Sequence, residues 1–278
     1  TKEIHAEPHR LRAAIHYHQP LTYRSMSATI IVPARLGSTR FHQKLLHEVR
    51  GKPLILWTAE RIRDEAPEYP LYFAVDSERM QSVLEAAGFA VVMTNPELPS
   101  GTDRIAAANR TIGATRVINV QADEPMVTGS QIRMLDALLG DGIDMATLGC
   151  PLNHDKDYRN PNNVKLVRAA NGKALYFSRA PIPYIRDTQG VYDEAVTGHD
   201  GVLTHLGLYA YTRAFLEAFA SLKPGFLEQI EKLEMLRALE NGYSIAVGIT
   251  HDALIEIDTE ENAIEFEQAI MERFRPKD

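Results

Sequence analysis

Apolar and polar positions along the chain alternate between two periods. Short apolar runs at Thr29–Val32, Leu71–Val75, Ala90–Met93, Arg116–Val120 and Asp144–Cys150 have the length and composition of buried strands. Between them, Leu54–Glu65, Glu78–Ala87, a stretch opening after Ser100 and Ser130–Leu139 repeat apolar residues every three or four positions and predict helices. Strand and helix in alternation predict a largely parallel, helix-flanked sheet, because a crossover element must return the chain to start each parallel neighbour. Ligands of such sheets gather beyond the strands' carboxyl ends.

After Pro151 the pattern changes. Val164–Arg168 and Lys173–Phe177 flank Asn171-Gly172, a hairpin signal. A polar stretch, Tyr184–Gly201, precedes the strand Leu203–Tyr211, helices over Ala214–Ser221 and Leu227–Asn241, the strand Ile245–Ile249 and a last helix from Thr259. The expected fold is therefore α/β, a mostly parallel helix-flanked sheet with a smaller mixed α+β lobe. Residues 1–26 lack a sustained apolar period and read as an extension outside that fold.

Composition narrows the function. With 278 residues, 45% hydrophobic and 24% charged, the chain can bury a full core as one large domain with a subordinate lobe. No run approaches the roughly 18–20 apolar residues of a membrane span, and no signal segment opens the chain, so no membrane insertion and a cytoplasmic location are expected. The single Cys150 excludes an internal disulfide and reads as a buried small hydrophobe. A net charge of −7 argues against a nucleic-acid surface. Between Pro33 and Pro53, however, Arg35, Arg40, Lys44, Arg50 and Lys52 stand against Glu48 alone, which marks a candidate anion site.

The first strand runs into Pro33-Ala34-Arg35-Leu36-Gly37-Ser38-Thr39-Arg40, with Lys44 following. Its lone Gly37 is not the glycine pattern of a dinucleotide fold, and the Gly-Lys-Ser/Thr ending of a P-loop is missing. Three cations and two hydroxyls on one strand-to-loop turn suit a triphosphate. Elsewhere two readings stand side by side. Asp123, before Glu124-Pro125, is a turn residue or a metal ligand. Asp258, with Glu261 three residues on, is a helix N-cap or a ligand. Ser100-Gly101-Thr102-Asp103-Arg104 is a capped helix start. Period two places His205, Gly207, Tyr209 and Tyr211 on one face of their strand and Leu206, Leu208 and Ala210 on the other. Along Leu227–Asn241, Glu228, Glu231, Glu234 and Arg237 are displaced from the apolar stripe.

Taken together, the loop through Lys44, Asn119-Val120-Gln121-Ala122-Asp123-Glu124-Pro125, Tyr176-Phe177-Ser178-Arg179-Ala180-Pro181-Ile182-Pro183, His205-Leu206-Gly207-Leu208-Tyr209 and Ile257-Asp258-Thr259 resemble, in order, the motifs of the 3-deoxy-manno-octulosonate cytidylyltransferase (CMP-Kdo synthetase) family. That resemblance implies the fold of nucleotide-diphospho-sugar transferases. It also implies transfer of CMP from CTP to an eight-carbon acidic sugar for lipopolysaccharide assembly, and a homodimer formed through the second lobe. Residues 27–150 would form the nucleotide part, 151–241 the sugar and dimer lobe, and 242–278 the closing strand and helix. Asp123 and Asp258 would hold Mg²⁺, while Arg35 and Lys44 neutralise departing pyrophosphate. Ala34, Ser38 and Arg40 would join Arg35 and Lys44 on the nucleotide, and Arg104 would read cytosine. Gln121, Arg179, Arg186, His205, Tyr209 and the pair Glu234 and Arg237 would hold the sugar, leaving Glu228 and Glu231 as surface residues.

Three departures from the family pattern stand out. His42-Gln43 replaces Pro-Gly before the loop lysine, Ala122 stands where the family has Gly, and Met235 replaces a common Gln. Sugars other than the plain octulosonate remain open, namely an 8-amino variant or sialate. So do a nucleotide-binding protein without catalysis and, more remotely, an oxidoreductase.

Overall fold

The computed structural model describes residues 28–37, 41–140 and 142–273. The expected extension over 1–26, Ser38 and Arg40 lie outside the described residues. The strands are β1 (Thr29–Ala34), β2 (Glu48–Val49), β3 (Lys52–Pro53), β4 (Leu71–Val75), β5 (Ala90–Met93), β6 (Arg116–Asn119), β7 (Met145–Pro151), β8 (Lys165–Arg168), β9 (Ala174–Ser178), β10 (Leu203–Thr212) and β11 (Ile245–Ile249). The helices are α1 (Leu54–Glu65), α2 (Glu78–Ala86), α3 (Gly101–Ile112), α4 (Gly129–Leu138), α5 (Asp155–Arg159), α6 (Glu194–Thr197), α7 (Arg213–Phe219), α8 (Phe226–Glu231), α9 (Met235–Glu240) and α10 (Glu260–Arg273).

The main sheet runs β11-β7-β10-β6-β1-β4-β5, and β8 and β9 extend it from β10. Along this path only β10 runs against its neighbours. β10 was expected with the second lobe, yet it sits inside the sheet between β6 and β7, and the polar excursion that follows β9 packs on a small cluster of its own, Leu152, Tyr158, Ile185, Tyr192 and Val202.

Both faces of the sheet are covered, and the strand residues divide by parity. Ile30, Val32, Phe73, Val75, Ile118 and Leu148 enter one core with residues of α1, α4 and α10. Ile31, Ala74, Val117 and Met145 enter the other with residues of α3, α7 and α9. Near-continuous apolar strands are the consequence of two buried faces. Cys150 is buried in the first core, as its sequence context predicts.

The helix expected over Leu227–Asn241 is two helices. Lys232 takes a left-handed φ of 56° and separates α8 from α9. Residues on the two sides of that break therefore do not share one helical stripe.

Candidate active site

β1, β4 and β6 end side by side, and the segments after them carry Arg35, Asp76 and Gln121–Asp123 to one rim of the sheet. Asp76 ties the first loop to a buried cation. Its Oδ1 accepts from Leu36 N at 2.9 Å, and its Oδ2 accepts from Arg104 Nη2 at 3.2 Å. Arg104, on the first turn of α3, also donates to Thr94 Oγ1 at 2.5 Å and is only 3% exposed. Burial lowers its pKa, Asp76 opposes that, and neighbouring Arg35 adds to the lowering. A guanidinium stays charged through such a shift.

Lys44 opens a short 3-10 turn over Lys44–Leu46, and its ammonium reaches two distant acids. It donates to Asp123 and, at 2.6 Å, to Asp258 Oδ1. Burial acts to lower the Lys44 pKa, but the two carboxylates more than offset it and the net shift is upward. The backbone fixes the pair: Ile257 N donates to Asp123 O at 3.2 Å, so the segment before α10 is pinned beside the segment after β6. The expected N-cap role of Asp258 falls to its neighbour. Thr259 Oγ1 accepts from Asn262 N at 3.3 Å, and Asn262 Oδ1 accepts from Asp258 N at 3.4 Å. With the cap one residue further on, the Asp258 carboxylate turns to Lys44.

Sequence reasoning missed a third acid. Carboxylate oxygens of Asp123, Glu256 and Asp258 lie within 4.8 Å of one another. Hard oxygen donors in this number suit a Mg²⁺-class ion, which takes a few carboxylates and completes its shell with water and phosphate. The ammonium between Asp123 and Asp258 already marks the spot as one for a cation. Glu256 was legible in principle, since alternation in an extended segment puts it on the same side as Asp258. Behind the acids, Glu124 is 4% exposed, and burial first, then the charges of Asp123 and Glu256, push its carboxyl well above the usual range.

Two cavities of about 370 and 300 Å³ adjoin here and share Gly101, Gln121, Asp123, Glu234 and Glu256. The larger is walled by the loop after β1, Lys44, Arg104 and Asp258. The smaller is walled by Asn119, Tyr209, Tyr211 and Lys232. Lys232 is the only cation among the residues described around the second cavity, and it was not among the sequence candidates. Glu234 accepts from Thr102 Oγ1 at 2.8 Å, and burial raises its pKa.

The sequence candidates divide accordingly. Ala34, Arg35, Lys44, Arg104, Gln121, Asp123, Glu234 and Asp258 line the first cavity, and Gln121, Tyr209 and Glu234 line the second. His205, Arg179, Arg186 and Arg237 line neither. Arg237 is 7% exposed, grips Glu228 through two bonds of 2.7 and 2.5 Å and lies 4.6 Å over the Phe219 ring. Glu228 and Glu231, expected on the surface, are thus structural. Glu231 accepts from Ser178 Oγ at 2.6 Å and from Arg179 N at 3.0 Å. The Arg179 guanidinium is spent on Glu231 O and Pro161 O, and Arg186 is exposed on a second 3-10 turn, Arg186–Thr188. The break at Lys232 separates the expected pair, with Glu234 at the cavities and Arg237 on Glu228.

His205 is held in the sheet. Its Nε2 is 3.0 Å from Thr147 Oγ1, and that hydroxyl donates to Leu208 O at 2.8 Å, so the imidazole N–H is the donor. Phe177 and Tyr209 rings sit 5.2 and 5.3 Å away, and burial pulls the pKa to about 3. The ring is neutral at physiological pH. Thr147 and Gln121, which donates to Gly207 O at 3.3 Å, together satisfy the bulge between Leu206 and Tyr209.

The loop departures resolve in an unexpected way. Gln43, at the family's glycine position, has a left-handed φ of 51°, while Ala122 is not among the residues with positive φ. The strained replacement is therefore in the phosphate loop and not beside Asp123.

A cationic loop and a carboxylate cluster at the carboxyl ends of parallel strands, opening onto two joined cavities, define a nucleotide-dependent transferase. Comparison with known proteins narrows the class. The chain matches the family described as cytidylyltransferase over residues 29–246. It is 40% identical over 250 residues to 3-deoxy-manno-octulosonate cytidylyltransferase of Acidobacterium capsulatum, covering 90% of this chain and 98% of the relative. It is 42% identical over 252 residues to 8-amino-3,8-dideoxy-manno-octulosonate cytidylyltransferase of a Shewanella species, covering 88% and 99%. A solved structure of CMP:2-keto-3-deoxy-manno-octonic acid synthetase complexed with CTP superposes with a TM-score of 0.81 at 30% identity, covering 89% of this chain and 100% of that one. The chain belongs to the cytidylyltransferase family. Among the described residues, no helix is long and apolar enough to cross a membrane.

Proposed function

We propose that the protein transfers CMP from CTP to 3-deoxy-manno-octulosonate and releases pyrophosphate. The observation that carries this reading is the junction of the two cavities at Asp123, Gln121, Glu234 and Glu256, with Lys44 and Asp258 on the wall of the larger. The larger cavity takes CTP, and the smaller takes a polyhydroxylated acid.

In the reaction, the anomeric hydroxyl oxygen of the sugar attacks the α-phosphorus of CTP in line. The new O–P bond forms as the bond to the β-phosphate bridging oxygen breaks, and the hydroxyl proton passes to solvent. Arg35 and Lys44 neutralise charge growing on pyrophosphate. Lys44 can do so because it shares its charge with Asp123 and Asp258 only until a triphosphate offers more negative charge. Asp123 and Asp258, with Glu256 beside them, would hold Mg²⁺, which supplies Lewis-acid neutralisation at the α-phosphate and lowers the hydroxyl's pKa. Arg104, held rigid by Asp76 and Thr94, faces the base end of the cavity. Lys232 offers the charge for the sugar carboxylate, with Tyr209, Asn119 and Glu234 for its hydroxyls.

The 8-amino sugar is a second reading, favoured by the near-equal identity to the Shewanella proteins. A CTP-consuming reaction of this kind belongs in the cytoplasm, and its product would serve lipopolysaccharide assembly. A homodimer through the second lobe is supported by the exposed apolar side chains Leu175, Phe226 and Ile230 and by β9, which among the described residues pairs only with β8. A pyrophosphate-release panel that crosses CTP and UTP with the two octulosonates and sialate tests the reading. Turnover with CTP and an octulosonate is expected. Binding of CTP without pyrophosphate release from any sugar would sink it.

A further inference from the structure

A second group of metal-ligating side chains lies outside the site described above. His199, Asp200 and His251 are all exposed, and one ligand atom from each lies within 4.8 Å of the other two. The two imidazoles are stacked, with centroids 5.3 Å apart and planes at 16°. We propose that these three residues form a binding site for a divalent transition-metal ion of the zinc class.

The backbone holds the ligands in place. Gly201 N donates to Gly198 O at 3.2 Å, which closes a turn with His199 and Asp200 at its two central positions. That turn demands glycine at its end, because a Cβ on Gly201 would lie 2.0 Å from Thr197 O. The turn itself follows α6, whose N-cap Asp193 accepts from Ala195 N. On the other side, His251 directly follows Thr250, which is 6% exposed and donates from its backbone N to Gly149 O at 3.0 Å.

Orientation of the first histidine supplies an independent argument. Glu194 Oε1 lies 3.2 Å from His199 Nδ1. A carboxylate on one ring nitrogen fixes the proton there and leaves the other nitrogen's lone pair for a metal, the arrangement usual for metal-bound histidines. Here Nε2 is the nitrogen left. Two imidazoles and one carboxylate, with water as fourth ligand, match the donor set of a tetrahedral zinc site. Closing the ligand atoms to the ~3.4 Å spacing that such bond lengths require needs only rotation of exposed side chains. The bound ion would staple the excursion carrying α6 to the segment after β11, which continues to Glu256 and Asp258.

The test is equilibrium dialysis of the full chain, stripped with a chelator and exposed to Zn²⁺ alone near neutral pH. The paired protein is the double variant His199→Ala/His251→Ala. Other histidines and the catalytic acids are present in both, so they cancel. The wild type is expected to retain one equivalent more than the variant. It should also gain a rise in unfolding temperature with Zn²⁺ that the variant lacks, and give a visible Co²⁺ absorption that the variant does not. Equal uptake by the two proteins, or a Co²⁺ spectrum unchanged in the variant, would overturn the site.

Discussion

The ammonium of Lys44 lies 2.6 Å from Asp258 Oδ1, a contact between residues 214 positions apart in the chain, and it also pairs with Asp123. One cation thus offsets part of the charge of the two acids expected to hold the metal. Removing Lys44 takes away both this neutralisation and a leaving-group contact. Lys44→Ala is predicted to lower kcat by roughly 10²–10³, measured as steady-state pyrophosphate release. Near-normal turnover would contradict the assignment.

Asp76 and Arg104 form a buried pair, with side-chain exposures of 10% and 4%. Breaking such a pair by removing one partner leaves an uncompensated charge and costs about 3–5 kcal/mol. Asp76→Ala also releases Leu36 N, so it should destabilise by that order in urea unfolding and raise the KM for CTP. A variant with wild-type stability and KM would show the pair to be idle.

Gln43 pays for its left-handed φ, and glycine at the same position would not. The conformation costs an ordinary residue about 1–2 kcal/mol, partly offset by the larger unfolded-state entropy of glycine. Gln43→Gly is expected to raise stability by about 0.5–1 kcal/mol in denaturant titration, with pyrophosphate release retained. The Gln43 Oε1 bond to exposed Arg79, at 2.9 Å, is too small a loss to reverse the sign.

Lys232 is the one cation among the residues described around the second cavity, beside the acids Asp123, Glu234 and Glu256. Losing a hydrogen bond to a charged group costs about 1.5–3 kcal/mol, so Lys232→Ala should raise the KM for the sugar roughly 10- to 100-fold. The KM for CTP should not move. Equal effects on both substrates would place Lys232 outside the sugar site.

His205 predicts a pH dependence of stability. Its folded pKa is depressed to about 3 by burial, whereas the unfolded chain titrates near ~6.5. As pH falls below that unfolded value the unfolded state takes up a proton and the folded state does not. Its stabilising contribution is therefore complete above pH ~6.5 and declines toward the folded pKa, by at most about 1.4 kcal/mol per pH unit. Urea unfolding of wild type and His205→Gln between neutral and mildly acidic pH should differ by this slope. Parallel curves would contradict an imidazole held neutral by the fold.

The strands and helices of the sheet were legible because apolar periodicity is a local property. α1, β4, β5 and β11 begin and end where the pattern puts them. The cationic loop and Asp123 were legible for the same reason, since strand ends announce themselves. What stayed hidden depended on distance or on a single dihedral. Nothing local says that β10 slots between β6 and β7, or that Ile257 bonds to Asp123. The left-handed φ at Lys232 splits one apparent amphipathic helix, buries Arg237 on Glu228 and turns Lys232 to the cavity. Arg179 and His205 lie in motif segments, yet Arg179 Nε and Nη1 and His205 Nε2 are engaged by neighbours that only the folded chain brings near.

The most direct test of the account is a crystal structure of the protein with CTP and Mg²⁺. An ion touching the carboxylates of both Asp123 and Asp258 is expected, with the Lys44 ammonium moved off them onto the triphosphate. An ion held by the phosphates alone, with Lys44 still lodged between the two aspartates, would contradict it.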